Sequence, residues 1–199
     1  AGKELVDARY TASTGKSYSG TRMYHDYREL LADKEIDAVL ISTPDHQHAP
    51  QAVHAVRAGK HVYLQKPAAL TIAEGRAMAD AVKASGRIVQ IGSQQRAQEP
   101  WPQFHRACEL VRNGRLGKLR HVEVGLPGDP SGPEASPMPV PRNLNYDAWL
   151  GTTPEVPYTE IGVHPQDSFE GRPGWLRIEQ YGAGMITGGV GLAMSAVRA

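Results

Sequence analysis

Long hydrophobic runs are missing from this sequence. No apolar stretch approaches the roughly 18 residues that a membrane-spanning helix needs, and the opening AGKELVDARY is amphipathic rather than signal-like. Cysteine is almost missing too: the single thiol, Cys108, cannot form an intramolecular disulfide, so no cystine framework holds the fold. Neither sign of charge is in excess, since 22 Lys and Arg meet 21 Asp and Glu for a net charge of +1. That balance leaves no electrostatic footprint for nucleic acid or an anionic membrane surface. What remains is the profile of a soluble globular protein of 199 residues, long enough for one large or two small domains.

Proline divides the chain. Ten of its 15 prolines lie from Pro127 to Pro173, so the second half reads as loop-rich. In the first half, residues 38–42, 61–64 and 87–91 are short apolar runs of strand length. Helices are expected between them. Asp26 and Glu29 form one capping signal and Thr71 and Glu74 another, while Gly59 and Gly86 stand where helices end. Strands alternating with helices predict a parallel sheet, because each parallel strand needs a long crossover. Further helix is expected over 101–113, with Phe104, Cys108 and Val111 on one face, then a strand over 118–126 and a strand-like stretch over 175–180.

Three motifs bear on chemistry. Thr14-Gly-Lys-Ser17 resembles the end of a phosphate-binding loop, but Tyr10 stands where the first glycine belongs, and a solvated loop is the expected reading. Thr43-Pro-Asp-His-Gln-His48 follows the first apolar strand, at the carboxyl end where open α/β sheets bind ligands. Asp45, His46 and His48 leave a metal site open as a reading, although the ligand count is short and a plain turn into a helix is the alternative. Gln65-Lys-Pro67 ends the second strand, and a partly desolvated lysine there can hold a hydroxyl or shuttle a proton. Gln94-Gln-Arg96 ends the third, so three strand ends present polar groups towards one side.

These residues, with Ala58-Gly-Lys-His-Val62, Gly114-x-x-Gly117 and Tyr181-Gly-x-Gly-Met-Ile-Thr187, resemble the glucose–fructose oxidoreductase, inositol dehydrogenase and rhizopine-catabolism (Gfo/Idh/MocA) family. The resemblance runs from about Tyr24 to Gly188. It implies an α/β fold: a partial Rossmann domain with a parallel sheet over residues 1–98, followed over 99–199 by part of an α+β substrate domain with an antiparallel sheet. It implies NAD or NADP as cofactor and a carbinol of a sugar, cyclitol or related polyol as substrate, in an enzyme expected to be a homo-oligomer. Carried onto this chain, it places Thr43, Pro44, His48, Gln65 and Lys66 at the cofactor, with Lys66 also catalytic, and Gln94, Arg96, His164, Trp175 and Arg177 towards the substrate. The family's usual Glu before the lysine is Gln65 here. An amide still accepts a ribose hydroxyl, but a charge beside Lys66 is removed.

Two family signatures do not occur. No GxGxxG is present, and no Trp-Gly-x-His-x-x-Asp segment follows Thr187. The expectation is therefore an internal piece of a longer enzyme, with residues 190–199 arising from truncation or a shifted frame and packing poorly. An NAD-dependent glycosidase of the same family and a non-catalytic binding chain remain as alternatives. Reduced Cys108 fits the cytoplasm, and export through an upstream signal is the other possibility.

Overall fold

The computed structural model describes residues 2–93, 102–123, 125, 136–163 and 173–184. Gln94, Arg96, His164 and the 190–199 tail lie outside the described residues. By internal contact the chain divides into two compact units, Ala1–Asp37 and Ala38–Ala199.

The first unit holds helices α1 (Gly2–Thr14) and α2 (Tyr27–Ala32). Helix α1 buries no residue. An i,i+4 pair of Lys3 and Asp7 braces it, and Asp7 also accepts the Thr21 N–H at 3.2 Å. Residues 12–20, including Thr14-Gly-Lys-Ser17, are exposed. Because Thr14 closes a helix rather than opening one, the dipole there has the wrong sign for phosphate. The Asp26 carboxylate caps α2 by accepting the Arg28 N–H at 2.8 Å. The cap reaches the second helical residue, Arg28, rather than Glu29 as the expected capping box requires.

The second unit is built on strands β1 (Ala38–Ile41), β2 (His61–Gln65) and β3 (Val89–Gly92), all parallel in the order β1-β2-β3. Val39 and Val62 face each other in register, as do Ile41 and Leu64 and then Leu64 and Ile91, so one face of the sheet is aliphatic. Helices α3 (Asp45–Arg57) and α4 (Ile72–Ser85) make the two crossovers. Ala49, Ala52 and Ala55 of α3 are almost wholly buried, and their small side chains let the helix lie close to its neighbours. Val62 and Leu64, at 3% and 0% exposure, are worth about 1.5–3 kcal/mol each by burial.

Local signals set the ends of these helices. Gly59, at φ 81°, closes α3 with Lys60 N–H donating to Ala55 O at 2.9 Å and Gly59 N–H to Val56 O at 3.1 Å. The Thr71 hydroxyl accepts the Glu74 N–H at 3.1 Å, and the Glu74 carboxylate accepts the Thr71 N–H at 2.9 Å, which completes the reciprocal box on α4. Replacing Thr71 by alanine is expected to lower the unfolding free energy by about 1 kcal/mol, read from a urea melt. An unchanged midpoint would show that the box contributes nothing.

Helix α5 (Pro102–Arg112) follows, with Phe104, Cys108 and Val111 half-buried. Neither of the two expected strands appears among the described residues. Residues 118–123 are exposed and irregular, and the 175–180 stretch begins instead with a 3₁₀ turn, Gly174–Arg177. Short apolar runs are ambiguous without a partner strand to supply the ladder. Among the described residues, none beyond Gly92 is in a strand. A short helix, α6 (Tyr146–Leu150), is capped by Asn145, whose side-chain oxygen accepts the Ala148 N–H at 3.0 Å.

Candidate functional site

The parallel crossovers bring the carboxyl ends of β1 and β2 side by side, and the residues that follow them form the site. After β1, Thr43 donates from its hydroxyl to Gln51 Oε1 at 3.2 Å, and Pro44 leads into α3 without a side-chain cap. After β2, the Lys66 N–H donates to Gln65 Oε1 at 2.8 Å, and both residues are half-buried. The amide of Gln65 therefore orders its own turn. That role was not readable from its chemistry alone.

The first turn of α3 is buried despite being polar. Asp45, His46 and His48 have exposures of 5%, 1% and 0%. The Asp45 carboxylate accepts the Ala183 N–H at 3.1 Å. Burial raises its pKa above the usual value, against that hydrogen bond and the nearby charges of His48, Lys66 and His46. Its proton is thus held more tightly in the fold than in the unfolded chain. The stabilisation is fully present below the unfolded carboxylate value and is lost as pH rises through the folded one. Asp45→Asn keeps an oxygen for Ala183, so the variant is expected to be more stable than the parent at neutral pH, the difference closing towards pH ~4. Urea melts across that range decide it; a parent that gains on the variant as pH rises would reverse the assignment.

His46 is boxed by Trp149 and Tyr181, with ring centroids 5.2 Å away in each case. Its Nε2 lies 2.8 Å from the Trp149 carbonyl oxygen, while Nδ1 is buried without a hydrogen-bond partner among the described residues. Burial pushes its pKa down, so the neutral ring is favoured. The Gln47 amide donates to the carbonyls of Ala148 and Trp149 at 2.9 and 2.7 Å, and His46 N–H to Tyr181 O at 3.2 Å. Tyr146 packs on Trp149 and edge-on to Tyr158, and burial, together with Tyr181, pushes its phenol up to about 12. An aromatic cap from residues 145–158 and 181–183 is thereby bolted to the start of α3.

His48 is held on both sides, with Nδ1 2.6 Å from Pro67 O and Nε2 2.8 Å from Thr43 O. Both His48 nitrogens face carbonyl oxygens, His46 Nε2 faces another, and the Asp45 carboxylate meets the Ala183 N–H, so the three residues weighed as a metal set are packed against backbone groups. Among the described residues, no group of three or more His, Cys, Asp or Glu side chains could hold a metal ion. Trp175 is half-buried and Arg177 exposed in the 3₁₀ turn, whose following Ile178 carbonyl accepts the N–H groups of Tyr181 and Gly182 at 2.9 Å each. Sequence reasoning passed over Gln47, Gln51 and Trp149; the only local signal was Asn145 before a helix with aromatics one turn apart.

The donor set suits the ribose end of a nicotinamide cofactor, since Thr43, Gln65 and Lys66 offer hydroxyl, amide and ammonium groups at adjacent strand ends. The start of α3 is closed to pyrophosphate by the buried Asp45. A parallel sheet with helical crossovers and polar strand ends defines the class as a Rossmann-type α/β fold. Residues 6–93 match the model of the family described as the oxidoreductase family with an NAD-binding Rossmann fold, GFO_IDH_MocA. The chain is 35% identical over 123 residues to the uncharacterized oxidoreductase ORF334 of Rhizobium meliloti, covering 62% of this chain and 35% of that protein. It is 31% identical over 153 residues to inositol 2-dehydrogenase of Salmonella paratyphi B, covering 74% and 45%. It is 34% identical over 112 residues to 1,5-anhydro-D-fructose reductase of Ensifer adhaerens, covering 56% and 31%. The matches thus span less than half the length of each of these relatives.

Proposed function

We propose that the complete product of this gene transfers a hydride between NAD(P) and a carbinol carbon of a cyclitol or sugar. The observation that carries this reading is the placement of Lys66 at the end of β2, half-buried and within electrostatic reach of the buried Asp45. Bound NAD(P) would supply the hydride acceptor. The Lys66 ammonium orients the substrate hydroxyl and, once a general base has taken the hydroxyl proton, offsets the negative charge on the oxygen as the carbon is oxidised. Gln65 and Thr43 hold the ribose, and the aromatic cap limits water at the strand ends.

Similarity to an inositol dehydrogenase and to an anhydrofructose reductase supports a polyol or sugar substrate. Both relatives are named as net redox enzymes, which favours dehydrogenation over glycoside cleavage. The test is to incubate the complete gene product with NAD or NADP and a panel of cyclitols and aldoses, following reduced cofactor. Substrate-dependent accumulation is expected. Aglycone release from glycosides without net reduction would overturn the reading.

A further inference from the structure

We infer that His48 is a positioning residue that sets the place of Lys66, an inference that rests on the function proposed for that lysine. His48 lies in the first turn of α3 and is fully buried, at 0% exposure. Its two nitrogens approach two carbonyl oxygens, Pro67 O at 2.6 Å and Thr43 O at 2.8 Å. Carbonyl oxygens only accept, so each ring nitrogen that carries hydrogen donates to the carbonyl it faces. The imidazole thus spans the gap between the strand ends, linking Thr43, two residues beyond β1, to Pro67, the residue after Lys66.

Lys66 is one peptide plane from Pro67, and its own N–H is held by Gln65 Oε1. At the far end of the same loop, Glu74 accepts the N–H groups of Leu70 at 3.1 Å and Thr71 at 2.9 Å. Side chains therefore pin the 66–71 backbone at both ends, and the flexible ammonium starts from a fixed Cα. A shift of about 1 Å at such a base is enough to cost on the order of 100-fold in rate. Burial keeps the imidazole itself away from a ligand arriving from solvent, so its influence passes through Pro67 to Lys66.

Two substitutions separate this role from plain core stabilisation. Asparagine places an amide nitrogen near the Nδ1 position and retains the Pro67 contact; glutamine places one near Nε2 and retains only Thr43. Each variant keeps one of these two carbonyl contacts and loses the other, and the two should melt alike in denaturant. In the complete gene product, His48→Gln is expected to lower kcat about 10-fold further than His48→Asn, with little change in the KM for cofactor. In a Lys66→Met background, His48→Gln should add no more than about twofold. Equal kcat for the two variants, or a full effect without Lys66, would overturn the inference. If either fails to melt cooperatively, Glu74→Ala, which frees the other end of the loop, replaces it, and its effect on kcat must likewise vanish in the Lys66→Met background. Failure of the function itself reads differently: the unsubstituted protein then shows no turnover. Hydrogen exchange at residues 66–70 then decides, faster in His48→Gln than in His48→Asn if the clamp exists and equal if it does not.

Discussion

Replacing Lys66 by methionine is expected to lower turnover of the complete gene product by about 100- to 1,000-fold while cofactor affinity changes by roughly threefold or less. Methionine keeps the length and the apolar stem of lysine, so the half-buried loop retains its packing. What disappears is the positive charge opposite the oxygen on which charge develops. Such an interaction is worth more in the transition state than in the ground state, and its loss falls on kcat. Lys66 N–H and Gln65 Oε1 remain paired, because that bond uses the backbone. Steady-state kinetics alongside cofactor titration check the split. An unaltered kcat would return Lys66 to the status of an ordinary loop residue, and a large loss of cofactor affinity at constant kcat would make it a binding residue only.

The second large effect concerns stability. Gly174→Ala is expected to lower the unfolding free energy by about 3 kcal/mol or to abolish cooperative unfolding. A Cβ at Gly174 would lie 1.7 Å from the Ile161 carbonyl oxygen and 2.7 Å from its carbon, both backbone atoms that cannot swing aside. The 3₁₀ turn would have to move as a whole. That turn leads into the Ile178 carbonyl on which Tyr181 and Gly182 hang, and Tyr181 in turn walls His46 and packs edge-on to Trp149 at 4.7 Å. The damage therefore reaches the aromatic cap. Gly125→Ala, whose added Cβ meets nothing within 4 Å among the described residues, is the control and should melt like the parent. Equal midpoints for both variants would show that the turn relaxes without cost.

The parallel α/β core was legible because its signals are local. Thr71 and Glu74 sit three residues apart, Gly59 and Gly86 take positive φ at helix ends, and the three apolar runs became the three strands with shifts of one or two residues. Where a segment needs a distant partner, local reading failed. Residues 118–123 carry a strand-like composition but no ladder, and 175–180 starts with a 3₁₀ turn under the demand of close approach at Gly174.

For the candidate site, the sequence by itself determined which groups stand at the strand ends, because a polar turn after an apolar strand in a parallel sheet has only one place to go. Thr43, Gln65 and Lys66 were found in this way. Only the tertiary structure decided what surrounds them. The Trp149 carbonyl that meets His46 is 103 residues away along the chain, and the Ala183 N–H that meets Asp45 is 138 residues away. No periodicity or motif spacing carries such contacts. Likewise, a buried imidazole between two carbonyls and a histidine lining a pocket are identical as letters, and only the packing of α3 against the ends of β1 and β2 distinguishes them.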